Sequence, residues 1–395
     1  MNIQWADRLA DLDSSAIQEI LQIAQRGDVI SFAGGLPSAK SFPVGDLAAS
    51  YQAALMTQGA VALQYAVTEG YQPLREWVAA HLGKQGISVS ADNVLITNGS
   101  QQVLDIVCRV LVNPGDAIAV ENPAYLSAVQ VFKAAQARLI PIPVGSQGMD
   151  VDYLATVLKT ERPKFIYVNP TFQNPTGATM PLAKRQQLIQ LAAQYEIPIL
   201  EDNPYGELRF DGDHQPPVKS LPGGEWVLYA GTISKIVAPG LRIGWLVADK
   251  AFMDHLSTTK QLNDMCTNSI TQRALHHYVT TNDIVTHIGT IIEQYRHQRD
   301  VMLDAMNRHF PAGVARDIPE GGMFVWATVP ESIDTAKLLR EAVEHKVAFV
   351  PGAPFHVDGT GHNTMRINFS NSSPELIETG IERLGKLLKE KMNTL

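Results

Sequence analysis

The stretch WVLYAGTISKIVAPGLRIGWLV, residues 226–247, decides how the chain reads. Two apolar runs, 227–229 and 243–247, flank a turn that carries one lysine, Lys235, among Gly231, Thr232 and Ser234. Arg242 follows closely. Short, nearly continuous apolar runs bounded by Gly, Asn, Asp or Pro read as buried strands of a mostly parallel sheet. A lysine at the end of such a strand has two readings. One is a surface loop. The other is a ligand pocket, because lysine is rarely buried without a reason. A desolvated lysine loses its proton more readily and becomes a nucleophile able to form a Schiff base. Arg242 adds a planar fork matched to phosphate, and Thr232 and Ser234 add hydroxyl donors.

The same pattern extends outward in both directions. Apolar runs recur at 94–97, 117–120, 165–168 and 197–200. Helix-like segments such as 101–112 and 182–195 lie between them, which predicts an open α/β sheet covered by helices. Beyond about residue 285 the pattern changes. A helical stretch (288–308) leads to GGMFVW (321–326), a helix over 335–345, AFVPG (348–352), MRINFS (365–370) and a last helix over 374–392. This predicts a separate α+β domain. Near the start, Ile17, Ile20, Leu21 and Ala24 share one helical face, and Ser15 and Gln18 have capping-box spacing, which predicts a helix over 12–26.

Ligands of open α/β sheets collect outside the carboxyl ends of the strands. In VLITNGSQQVLD (94–105) a strand ends at Asn98, and Gly99, Ser100 and Gln101 open a helix whose free N–H groups suit a phosphate. Ordinary turn and cap chemistry explains the same residues. In AIAVENPAYLSA (117–128), Tyr125 is either a structural tyrosine or a ring that stacks on a flat ligand. In FIYVNPTFQNPTG (165–177), Asn174 is a turn residue or an amide presented to a ligand oxygen. In IPILEDNPYGEL (197–208) a buried strand runs straight into Glu201 and Asp202, with Tyr205 three residues on. A buried carboxylate needs a partner. Each feature is modest alone. Together they supply a phosphate cradle, a stacking ring, an acid, an imine-forming lysine and a second cation. Pyridoxal 5′-phosphate needs that set.

Bulk properties narrow the alternatives. The chain has 395 residues, enough for one large domain and a smaller companion. Hydrophobic residues at 45% against charged ones at 18% describe a globular chain. A net charge of −8 without a dense basic block speaks against nucleic acid and anionic membranes as partners. Cys108 and Cys266 form no CxxC pair, so no disulfide framework or zinc motif is expected. The N-terminal residues lack a basic-then-apolar leader, and no run reaches the roughly 20 apolar residues that span a bilayer. A cytoplasmic protein without a metal is expected.

On these motifs the chain resembles the fold-type I, pyridoxal-phosphate-dependent aminotransferases of class I/II. It is most similar to the α-aminoadipate/kynurenine aminotransferase subgroup. The marks are SFAGGLP (31–37), LQYAVTEGYQPLR (63–75), TNGSQQVLD (97–105), NPTFQNPTG (169–177), EDNPYGEL (201–208), GTISKIVAPGLRIGW (231–245), PEGGMFVW (319–326) and AFVPGAPF (348–355). The resemblance implies an aspartate-aminotransferase-like α/β fold. Its large cofactor-binding domain, residues 49–285, has a mostly parallel seven-stranded sheet. A small α+β domain spans 286–395, and a segment over 1–48 carries a helix that covers the active site.

It also implies roles. Lys235 forms the imine link to pyridoxal phosphate and moves the substrate proton. Asp202 pairs with the pyridine nitrogen. Tyr205 and Asn174 hydrogen-bond the phenolic oxygen, and Tyr125 stacks on the ring. Gly99, Ser100, Gln101, Thr232, Ser234 and Arg242 hold the phosphate, joined by Tyr65 from a neighbouring subunit of a homodimer. Arg366 clamps the substrate α-carboxylate, and Gly35 lies near the substrate. The expected reaction moves an amino group from an L-amino acid to 2-oxoglutarate by a ping-pong mechanism. Relatives with an arginine early in the covering helix can meet an acidic side chain there. This chain reads Asp11-Leu12-Asp13, with Arg8 as a substitute, so aminoadipate, aromatic, branched and apolar donors all stay open.

Two other functions share parts of this frame. A carbon–sulfur β-lyase would use the same Lys235, Asp202 and Arg366. An aminotransferase-like sensor domain of a transcription regulator would follow a winged helix-turn-helix, for which a chain reaching FAGGLP by residue 32 leaves no room.

Overall fold

The computed structural model describes residues 3–9 and 27–393. The helix predicted over 12–26 therefore lies outside the described residues. The main sheet has the order Val94–Thr97, Gly244–Val247, Val227–Thr232, Ile199–Asp202, Ile166–Val168, Ala117–Asn122, Arg138–Gly145, Gly148–Met149. The five strands from Val227–Thr232 to Arg138–Gly145 pair parallel. Val94–Thr97 and Gly244–Val247 pair antiparallel at one edge, and the two-residue Gly148–Met149 folds back antiparallel at the other. That short return makes eight strands where seven are expected; the seven longer ones form the body of the sheet.

These strands are apolar on both faces because both faces are covered, as buried parallel sheets require. Alternation along each strand sends side chains to opposite sides. Ile118, Val120, Tyr167 and Leu200 pack with Val103, Leu104 and Val107 of the helix Ser100–Leu111 and with Met253 and Leu256 of the helix Lys250–Asp264. Ala117, Ala119, Ile166, Val168 and Ile199 face the other way, toward Leu188, Ile189 and Ala192 of the helix Leu182–Tyr195.

A second, four-stranded antiparallel sheet has the order Ala315–Arg316, Phe324–Thr328, Thr364–Asn368, Val350–Pro351. Around it lie the helices Ile284–His309, Thr335–Glu344 and Pro374–Asn393. The strand pair Ile30–Ser31 with Val347–Ala348 runs parallel and fastens the N-terminal segment to this part of the chain. Residues 32–36 then pass between the two sheets. Phe32 accepts from Asn368 N–H through its carbonyl, at 2.9 Å, which fixes the path of that crossing.

Candidate active site

The carboxyl ends of the parallel strands and residues 33–36 enclose a cavity of about 410 Å³. Its floor is the end of Ile199–Asp202. Asp202 is buried, and its Oδ2 accepts from the Tyr167 hydroxyl at 2.9 Å. Its Oδ1 is buried without a hydrogen-bond partner among the described residues. Burial pushes the carboxyl up to about 6, against the Tyr167 hydrogen bond, which favours the ionised form. A cationic N–H brought to Oδ1 would satisfy the orphaned oxygen and favour the carboxylate.

Lys235 stands on the wall opposite the N-terminal segment. Its Nζ donates to the Gly35 carbonyl at 2.9 Å. Burial, with help from Arg366 and Arg242, lowers its ammonium to about 8. The turn that presents it is tied internally. Thr232 Oγ1 lies 2.8 Å from Ser234 Oγ, donates to the Ile243 carbonyl at 3.0 Å and accepts from the Ser234 N–H at 3.1 Å.

At one end of the cavity the helix Ser100–Leu111 begins, with Gly99 as its N-cap at φ 76°. Only glycine fits there: a Cβ on Gly99 would come within 2.6 Å of Arg242 Nη2. Arg242 adopts a left-handed backbone, φ 53°, and donates from Nη2 to the Asn98 carbonyl at 3.2 Å. Ser100, Gln101, Thr232, Ser234 and Arg242 all line this end. The result is a cup of backbone N–H groups, hydroxyls and one guanidinium, the donor set that a phosphate takes.

At the far end sits Arg366, on the strand Thr364–Asn368. It donates to Asn174 Oδ1 at 2.8 Å and to the Ala33 carbonyl at 3.0 Å. The Phe324 and Phe355 rings lie 4.2 Å and 5.1 Å from its guanidinium carbon. Burial lowers it to about 10, so it stays a cation at neutral pH. Asn174 links this end to the floor. Its Nδ2 donates to Tyr205 Oη at 3.4 Å, and its N–H donates to Asn169 Oδ1 at 3.1 Å. Tyr125 lines the cavity from the start of the helix Leu126–Ala134.

The cavity thus gathers Gly35, Ser100, Gln101, Tyr125, Asn174, Asp202, Tyr205, Thr232, Ser234, Lys235, Arg242 and Arg366, with Gly99 directly behind its cup. Tyr65 is not among them: it is 76% exposed, on the outer surface. Arg8 is exposed too. Sequence reasoning passed over Tyr167, Phe324, Phe355 and Asn169. Tyr167 alternates against Ile166 and Val168 on a strand beside Ile199–Asp202, a signal that could have found it. Phe324 and Phe355 stand in PEGGMFVW and AFVPGAPF, but their contact with Arg366 arises only from tertiary packing.

The family model for aminotransferase class I and II matches residues 29–384. An aromatic-amino-acid aminotransferase of Thermococcus litoralis is 43% identical, over 98% of this chain and 94% of its own length. The crystal structure of Pyrococcus horikoshii kynurenine aminotransferase in complex with PMP superposes with a TM-score of 0.94 at 40% identity, covering 98% of this chain and 97% of that one. The structure of LysN, the α-aminoadipate aminotransferase of Thermus thermophilus, complexed with N-(5′-phosphopyridoxyl)-L-leucine, has a TM-score of 0.92 at 37% identity, covering 99% and 98%. This chain belongs to the class I and II aminotransferases, the fold-type I enzymes that work with pyridoxal 5′-phosphate. The residues present fit that group: an orphaned acid oxygen on the floor, a lysine on the wall and a glycine-lined cup at one end.

Proposed function

We propose that this transaminase takes aromatic and large apolar L-amino acids as donors and 2-oxoglutarate as acceptor, in two half-reactions that share one site. The observation that carries the reading is the convergence of Lys235, Asp202, Asn174 and Arg366 on one cavity. Among the described residues, the cations that line it are Arg366, Lys235 and Arg242. Leu36, Leu126, Val350 and Phe355 give the substrate side chain an apolar wall.

Lys235 would hold the cofactor covalently, with Asp202 on the ring nitrogen, Tyr205 and Asn174 on the phenolic oxygen and Tyr125 against the ring face. Gly99, Ser100, Gln101, Thr232, Ser234 and Arg242 would take the phosphate. When bound, pyridoxal phosphate supplies an electron-withdrawing ring that makes the substrate Cα–H acidic. Arg366 then fixes the α-carboxylate and so the direction of that Cα–H bond. Lys235, lowered to about 8, would take the proton from the substrate Cα as a neutral amine and hold it for redelivery within the cavity.

A homodimer completes the proposal. Met56, Val61, Leu63, Val67, Leu262 and Met265 are all more than half exposed, and Tyr65 lies among them. Thr68 Oγ1 donates to the Met265 carbonyl, which joins the two segments. Exposed apolar surface on this scale marks an interface. A second copy seated there would carry Tyr65 toward the neighbour's phosphate.

The test is a donor panel of phenylalanine, tyrosine, leucine, 2-aminoadipate and aspartate with 2-oxoglutarate. Aromatic and large apolar donors should exceed aspartate in kcat/KM by about tenfold or more, the scale on which an apolar wall rewards added apolar surface. Parallel double-reciprocal lines should accompany them. A preference for aspartate, or steady pyruvate and ammonia release without an oxo acid, would contradict the reading.

A further inference from the structure

Behind the phosphate cup lies a lysine that the reaction does not use. Lys260, on the helix Lys250–Asp264, is wholly buried, and its Nζ donates to Asp264 Oδ1 at 2.9 Å. The other oxygen of Asp264 accepts from Asn98 Nδ2 at 2.5 Å and from Gln102 Nε2 at 2.8 Å. Gln102 in turn accepts the Asn98 N–H at 2.8 Å through Oε1. The Asn98 carbonyl takes Arg242 Nη2. One continuous chain of hydrogen bonds therefore runs from Lys260 through Asp264 to the turn that opens the Ser100 helix and to the guanidinium beside it.

Asp264 does the geometric work, since it grips both Asn98 and Gln102. It also places a negative charge behind a cup built for a dianion. That charge opposes phosphate binding unless a cation cancels it. Lys260 is that cation. A second carboxylate, Glu69, is held low mainly by the Ser257 hydroxyl, which donates at 2.6 Å, with Lys260 a lesser contribution. A solvated lysine would offset Asp264 weakly; one sealed from water, beside an acid only 17% exposed, is screened much less.

We infer that Lys260 and Asp264 are positioning residues of the phosphate cup, Asp264 fixing the Asn98–Gln102 turn and Lys260 neutralising Asp264 so that the cup selects the phosphorylated cofactor. This rests on the assignment of the cup to the phosphate. The pair touches neither ring nor substrate, so its effect falls on the phosphate alone.

The test compares pyridoxal 5′-phosphate with pyridoxal on the full-length chain stripped of cofactor, read by absorbance as each ligand is titrated in. Both ligands share the Lys235 and Asp202 contacts, so their affinity ratio isolates the phosphate. Lys260→Met should lower that ratio about tenfold, the scale of one uncompensated charge beside a polyanion in a partly buried site. Asp264→Asn, which keeps a side-chain acceptor and removes the charge, should raise the ratio. A Lys260→Met protein that loses both ligands equally would make Lys260 merely structural. An unchanged ratio, or a lower one in Asp264→Asn, would overturn the inference, and the second variant decides the matter if the first does not fold. Arg242→Ala separates the two levels. If it lowers the ratio while Lys260→Met does not, this inference fails alone; if it leaves the ratio unchanged, the cup assignment fails.

Discussion

At the scale of the residue, the site is a set of ionisable groups moved from their ordinary ranges by burial. Asp202 moves up, Lys235 and Arg366 move down, and each shift is largest from desolvation. Groups whose charge is tuned by burial in this way gather where ligands bind. Glu121 shows the same physics behind the cavity wall. Its Oε2 accepts from the Asn169 N–H at 3.0 Å and from Gln173 Nε2 at 3.2 Å, while Oε1 has no partner among the described residues. Burial pushes its carboxyl up to about 8, against those two hydrogen bonds. A carboxyl raised on folding stabilises the fold fully below its unfolded value and loses that contribution as pH rises through the folded one. Urea unfolding between pH 5 and 9 should therefore show the native protein losing on the order of 1–3 kcal/mol relative to Glu121→Gln as pH rises from 5 to about 8, with the difference level above that. Curves that stay parallel would show that Glu121 is ionised throughout.

At the scale of the element, much was legible because the chemistry sits where periodicity changes. The apolar run 227–229 ends in Gly, Thr and Ser before Lys235, and the strand there is Val227–Thr232, buried along its length. The run 197–200 ends in two acids, and the strand is Ile199–Asp202. Helices read over 288–308, 335–345 and 374–392 correspond to Ile284–His309, Thr335–Glu344 and Pro374–Asn393. The strand Arg138–Gly145 escaped the search for apolar runs because Pro141 and Pro143 interrupt it. Proline is tolerated there for a reason the sequence hides. On its outer side this strand pairs through Val144 and Gly145, and the Pro143 carbonyl accepts from the Asp150 N–H at 2.8 Å, so the missing proline N–H groups face an edge with little pairing. The clamp around Arg366 was illegible for a different reason. Ala33, Asn174, Phe324 and Phe355 come from four separate parts of the chain, and only the packed molecule brings them together.

At the scale of the whole molecule, the cavity exists because two sheets face each other across residues 32–36. The pairing of Ile30–Ser31 with Val347–Ala348 holds that crossing, so the second sheet supplies Arg366 and the first supplies Lys235 and Asp202. Among the described residues no helix is long and apolar enough to cross a membrane. The exposed stripe at 56–67 and 262–265 is the surface the proposed second copy would cover. Leu262, 85% exposed, tests it cleanly, because removing it leaves the core untouched. The native protein should sediment as a dimer and Leu262→Glu as a monomer; an unchanged dimer would move the interface elsewhere.

The central claim is that the amine of Lys235 carries the cofactor in a cavity floored by Asp202. Borohydride reduction of the holoenzyme, followed by digestion and mass spectrometry, reads this directly. A single phosphopyridoxyl group is expected on the peptide that contains Lys235. The same group on any other lysine, or none on Lys235 in an active preparation, would contradict it.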